Sequence, residues 1–141
     1  ELAYDTVVVG GGRFVKNIGD AVMFVADDTA SAADIALRLA EASSGDEVLP
    51  EARAGLAAGP LLARDGDFYG PVVNLASRLT ERARPGSVLV SAEVHEALAD
   101  NPDFEFRQLR TRNLRDIGRV PVWVVRSASR SSESRQASRG S

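Results

Sequence analysis

Two hydrophobic periods divide this chain. Short runs rich in Val, Ile and Phe read as strands, and Ala/Leu-rich stretches with apolar positions three and four apart read as helices. Residues 13–18 and 21–25 form two strand-like runs joined at Gly19-Asp20. Residues 29–43 place Ala33, Ile35, Ala36, Leu39 and Ala40 at helical spacing behind Thr29, a candidate N-cap. Residues 52–58 read as a strand of small residues. An acidic turn at Asp65-Gly66-Asp67 then leads into a helix over residues 72–84, closed by Pro85-Gly86. Residues 87–90 make a short apolar strand, and residues 92–99 a short helix that stops before Asn101-Pro102. Residues 104–112 alternate apolar with polar, as an exposed strand does, and residues 120–125 form a last strand holding the only Trp. At residues 4–9, Val7-Val8-Val9 favours a strand by propensity.

Alternating hairpins and helices predict an α+β sandwich, with helices on one face of a mainly antiparallel sheet. One domain, residues 1–126, is the expectation for 141 residues. Residues 127–141 contain seven Ser, three Arg and no large apolar side chain, so a disordered tail is expected there. The absence of Cys excludes a disulfide framework and thiolate metal sites, and no apolar run is long enough to span a membrane. A net charge of −3 disfavours nucleic acid as the main partner. Neither a dinucleotide-binding G-x-G-x-x-G nor a P-loop follows any strand, since Gly10-Gly11-Gly12 does not continue into either. His95, the only His, is expected to be exposed on a polar helix, and Met23 and Trp123 are expected in the core.

Candidate chemistry concentrates in two stretches. In residues 66–79, GDFYGPVVNLASRL, Asn74 and Arg78 stand four apart and project from one helix face, with Asp67 seven residues ahead of Asn74. In residues 14–24, FVKNIGDAVMF, Lys16 and Asp20 flank the hairpin tip. A cation, two carboxylates, an amide and a guanidinium at element ends suit a nucleoside triphosphate and a metal. Of the 17 basic residues, Lys16 is the only Lys.

These two motifs, in this order and followed by ARPGSVLVS, resemble the catalytic domain of the class III nucleotidyl (adenylate and guanylate) cyclases, from about Gly10 to about Val125. The resemblance implies a ferredoxin-like core with an extra hairpin, and a helix end before the Gly-rich break, so residues 4–9 have two readings. It implies two Mg2+ or Mn2+ ions per site, with Asp20 as a metal ligand. Lys16 and Asp67 become the pair that reads the purine, as donor to N1 and acceptor from the N6 amino group of adenine. Asn74 becomes the ribose-orienting residue, Arg78 the one that meets charge in the transition state, and Arg115 a contact to the terminal phosphates. Each residue also has a plainer reading: a hairpin cap for Asp20, a solvated strand residue for Lys16, a loop acid for Asp67, and helix or surface positions for the rest. The family opens with a strand carrying a first metal-binding Asp, whereas nine residues precede the Gly-rich break here. The chain is therefore expected to be N-terminally truncated and impaired on its own. The function implied is a cytoplasmic adenylate cyclase domain, taking ATP and working as a homodimer. The alternatives are a catalytically silent cyclase-like dimerisation or regulatory module, and a guanylate cyclase.

Overall fold

A computed structural model describes residues 2–18, 21–44 and 52–128. The elements run α1 (Leu2–Val9), β1 (Arg13–Ile18), β2 (Ala21–Val25), α2 (Thr29–Ser44), β3 (Ala54–Leu56), β4 (Leu62–Arg64), β5 (Asp67–Tyr69), α3 (Pro71–Arg82), β6 (Val88–Val90), α4 (Ala92–Leu98), β7 (Phe104–Gln108), β8 (Arg112–Leu114), β9 (Gly118–Val120) and β10 (Trp123–Ser127). The main sheet has the order β3-β6-β10-β7, in which only the β3–β6 pair is parallel. Three hairpins, β1–β2, β4–β5 and β8–β9, stand beside it. The α+β, antiparallel-rich architecture is the one expected.

Helices cover both faces of the main sheet rather than one. Val88 and Val90 of β6 and Val125 of β10 point into a cluster with Ala33, Ala36 and Ala40 of α2 and Val94 and Leu98 of α4. Their neighbours Leu89 and Val124 point the other way, onto Leu79 and Ala83 at the end of α3 and Leu114 of β8. A strand buried on both faces reads as an unbroken apolar run, and all three residues of β6 are buried. Gly55 of β3 also faces α3, and a Cβ there would sit 2.4 Å from the Thr80 amide nitrogen and 2.6 Å from the Ala76 carbonyl oxygen. Because the obstruction is backbone, Gly55→Ala should lower unfolding stability by about 1–3 kcal/mol, the usual range for overpacking. A denaturant titration with an unchanged midpoint would show that α3 is not packed this closely on β3.

Local chemistry decides the element ends. The Asp28 side chain, not Thr29, caps α2: its carboxylate accepts from the Ser31 amide at 3.0 Å and the Ser31 hydroxyl at 2.9 Å. Ser91, 3% exposed, caps α4 by accepting from the Val94 amide. α3 begins with Pro71 in its first turn and has no side-chain cap. Residues 4–9 belong to α1: Val7 is fully buried, and the amides of Gly11 and Gly12 close the helix onto the carbonyls of Val8 and Val7. Packing on α2 and β1 thus overrides the β-propensity of the Val run.

Two strand expectations are corrected. The strand expected over 104–112 ends at Gln108, and residues from 112 start the separate β8–β9 hairpin. The strand expected over 120–125 is split at Pro121, with Val120 ending β9 and Trp123 opening β10. Pro lacks the amide a continuous ladder needs. β10 reaches Ser127, and the remainder of the expected tail, residues 129–141, lies outside the described residues. His95 is not exposed but half-buried: it stacks on Trp123 at 4.4 Å between ring centroids and meets the Phe106 ring edge-on at 5.0 Å. Trp123 and Phe106 are partly buried against the α2–α4 cluster. Met23 of β2 is partly buried too, beside an apolar groove of about 400 Å3 that β2 shares with β3 and α3. Among the described residues no helix is long and apolar enough to cross a membrane.

Candidate active site

Two hairpins meet at the first part of the site. In β1–β2, Phe14 pairs with Phe24 but Lys16 pairs with Met23, so Val15 is an extra residue on β1. Such a bulge re-aims the side chain beside it, here Lys16. In β4–β5, Arg64 pairs directly with Asp67 across a two-residue turn. Asp65 and Gly66 both have positive φ, 53° and 80°, the twist that tight hairpins favour. This sets Asp67 at the first position of β5, where its Oδ1 accepts from the Phe68 amide at 2.8 Å.

Lys16 Nζ donates to Asp67 Oδ2 at 2.5 Å, joining residues 51 positions apart. The Arg13 guanidinium lies 5.9 Å over the Phe68 ring and ties the same two strands a second time. The Lys16 hydrogen bond, helped by the Phe68 amide, holds the Asp67 carboxyl below its ordinary pKa. A depressed carboxyl binds its proton less readily in the folded state. Its contribution is therefore present at neutral pH and fades as pH falls through the folded-state pKa. Lys16→Ala should raise the Asp67 pKa toward the ordinary range in a carboxyl NMR titration, and an unmoved Asp67 would show that the ion pair does not persist in solution.

The second part of the site lies along α3. Tyr69 and Gly70 connect Asp67 to this helix, and Gly70 has φ 118°, reserved in practice for glycine. Asn74 is exposed one turn into the helix, and Arg78 follows one turn later with its side chain 22% exposed. Arg78 Nε donates to the carbonyl oxygen of Arg115 at 3.1 Å, and its Nη1 donates to Glu81 Oε1 at 2.9 Å. Its Nη2 lies 3.5 Å from Asp116 Oδ2. Arg115, at the tip of β8–β9, donates from Nη2 to the same Glu81 oxygen at 3.3 Å. Arg78, Arg82 and Arg115 share a cleft of about 460 Å3 with Glu81, Asn113 and Leu114.

The structure therefore brings Lys16 to Asp67 and Arg78 to Arg115, and it sets Asn74 and Arg78 on one helix. Asp20, the expected metal ligand, lies outside the described residues. Among the described residues no group of three or more His, Asp or Glu forms a metal cluster. Sequence reasoning missed Glu81 and Asp116 as partners of Arg78. Glu81 carried a signal, since residues three apart on a helix are neighbours. Asp116 carried none, because its approach depends on a loop fold in which it adopts φ 64°.

The family profile described as the adenylate and guanylate cyclase catalytic domain matches residues 10–127. The chain belongs to that family. It is 46% identical over 117 residues to the pH-sensitive adenylate cyclase MT1302 of Mycobacterium tuberculosis, covering 80% of this chain and 30% of that protein. It is 48% identical over 99 residues to an adenylate cyclase of Streptomyces coelicolor, covering 70% of this chain and 26% of that protein. Among solved structures, the adenylate/guanylate cyclase/hydrolase from Silicibacter pomeroyi superposes with a TM-score of 0.73 at 26% identity, covering 89% of this chain and 78% of that one. The chain thus spans under a third of the length of these curated relatives.

Proposed function

We propose that this chain is an adenylate cyclase catalytic domain, converting ATP to 3′,5′-cyclic AMP and pyrophosphate. The ribose 3′-oxygen attacks the α-phosphorus, its proton leaves, and the bond from the α-phosphorus to the bridging oxygen of pyrophosphate breaks. The observation that carries the adenine assignment is the Lys16–Asp67 pair, built from two hairpins by a bulge and a tight turn. An ammonium offers only donors and a carboxylate only acceptors, which matches N1 and the N6 amino group of adenine and mismatches the inverted edge of guanine. Their mutual bond uses one of the three Lys16 donors, and the Lys16 side chain is 44% exposed, so a base edge can be read with the pair intact. Asn74 orients the ribose. Arg78 spreads its donors over the phosphate charge that builds in the transition state, and Arg115 meets the terminal phosphates.

Mg2+ or Mn2+, two per site and held in part by Asp20, would supply charge neutralisation of the triphosphate, and hard carboxylate oxygens suit them. The domain works as a homodimer with sites shared between protomers. A surface that supports this is the β4–β5 hairpin, where the cross-strand neighbours Leu62 and Tyr69 are 66% and 49% exposed. With ATP as substrate, the domain belongs in the cytoplasm. The test is direct: incubate the intact protein with ATP or GTP and either divalent metal, and resolve the products. Cyclic AMP and pyrophosphate in equal amounts are expected. Nucleotide binding without turnover would favour a silent regulatory module, and preferential cyclic GMP would overturn the adenine assignment.

A further inference from the structure

We infer that Glu81 is a positioning residue that holds Arg78 and Arg115 together for one polyphosphate, an inference that rests on the cyclase reading above. One carboxylate oxygen of Glu81 accepts from Arg78 Nη1 at 2.9 Å and from Arg115 Nη2 at 3.3 Å. Two guanidiniums that close repel each other unless an anion bridges them, and Glu81 is that bridge. Asp116 Oδ2, 3.5 Å from Arg78 Nη2, and the Arg115 carbonyl on Arg78 Nε complete a three-sided seat. The β8–β9 tip is latched to α3 a second time where Arg82 Nη2 donates to the Asn113 carbonyl oxygen at 3.2 Å. Arg78 and Arg82 are four apart, so both latches lie along one face of the helix.

Hydrogen bonds of the seat commit two of the five N–H bonds of the Arg78 guanidinium, and the Nη2 group facing Asp116 is held only by charge, so three N–H bonds are left for a ligand. A guanidinium already fixed in place loses less freedom when an anion arrives and needs no reorganisation as charge develops. The Glu81 side chain is 50% exposed and that of Asp116 is 78% exposed, and ion pairs so open to water add little to fold stability. Removing Glu81 should therefore leave the fold intact and release Arg78, which separates positioning from a merely structural role.

The experiment compares the intact protein with its Glu81→Ala and Glu81→Gln variants in three measurements. Glu81→Ala should lower kcat for ATP about ten- to a hundredfold at nearly unchanged KM, the scale of a misplaced reacting group. Glu81→Gln, which keeps an acceptor oxygen, should fall between this variant and the wild type. Both variants should melt within about 2 °C of the wild type, a shift corresponding to a small surface contribution. In 15N–1H spectra, the slowly rotating Arg78 guanidinium of the wild type should become freely rotating in Glu81→Ala. Inorganic triphosphate should shift the Arg78 and Arg115 Nε–H signals together only when Glu81 is present. Unchanged kcat with unchanged Arg78 signals would overturn the inference. Tighter triphosphate binding by Glu81→Ala would also overturn it, since the carboxylate would then compete with phosphate. Joint triphosphate shifts in a wild-type protein that makes no cyclic nucleotide would sink the cyclase reading and leave the positioning role standing.

Discussion

Arg78→Ala is expected to lower kcat for ATP cyclisation by about a hundred- to a thousandfold, the range found when a donor aimed at developing charge is removed. The side chain makes no large contribution to the core, and its carboxylate partners are exposed, so the variant should fold. If Arg78 acts only in the transition state, kcat and kcat/KM should fall together while KM stays put. Arg78→Lys should not rescue, because an ammonium cannot span the Arg115 carbonyl, Glu81 and Asp116 at once. The same variant tests the shared site. In a two-fold dimer with Asp20 from one protomer and Arg78 from the other, an Asp20→Ala chain paired with an Arg78→Ala chain has one doubly damaged site and one intact site. Random mixing should then recover about a quarter of wild-type activity, half the dimers being mixed and each holding one good site. No recovery in isolated mixed dimers would place all the groups in one chain.

Much of this architecture could be read from the amino-acid order because several elements are locally consistent. The strands β1 and β2 fell where their β-branched and aromatic runs lie, and α3 followed from helical spacing. That helix ends at Arg82 with an extended Ala83 as its cap, however, and Pro85-Gly86, with Gly86 at φ 82°, forms a separate turn beyond it. The β4–β5 hairpin was lost because its strands have three residues each, too few to show a period of two. Asp65-Gly66 is a strong tight-turn pair, but an acidic turn before a helix carries no sign of the strand that follows it. His95 departs from its expected exposure because its shelter comes from Trp123, 28 positions away, which no local pattern encodes. For the site the division is similar. Asn74 and Arg78 are neighbours by helical arithmetic, whereas Lys16 and Asp67 meet only because a bulge on one hairpin and a turn on another are brought together. The resemblance supplied that pairing, and spacing alone could not. Arg115 reaches Arg78 by the same kind of long-range event, the docking of β8–β9 on α3.

Exchanging Lys16 and Asp67, the pair proposed to read the purine, should change which nucleotide the protein uses. With Lys16→Glu and Asp67→Cys together, the donor facing N1 becomes an acceptor and the acceptor facing N6 is removed. Adenine then finds neither bond, while the N1–H of guanine gains a carboxylate. A site that leaves buried groups unpaired against the wrong edge discriminates strongly, up to about ten thousandfold where both bonds matter. The exposure of Lys16 and Asp67, 44% and 23%, argues for a smaller effect in this protein. Water can satisfy part of what the base leaves open, so a fall of about a hundredfold in kcat/KM for ATP relative to GTP is the expected outcome. The exchange also removes the ion pair that joins β1 to β5, and Arg13 over Phe68 remains to hold the two strands. Measuring ATP and GTP turnover in parallel separates the two consequences. A loosened contact would depress both nucleotides equally, whereas a reading pair would depress ATP alone or far more. Parallel loss would therefore make Lys16 and Asp67 a structural clasp between hairpins and leave base selection to other residues.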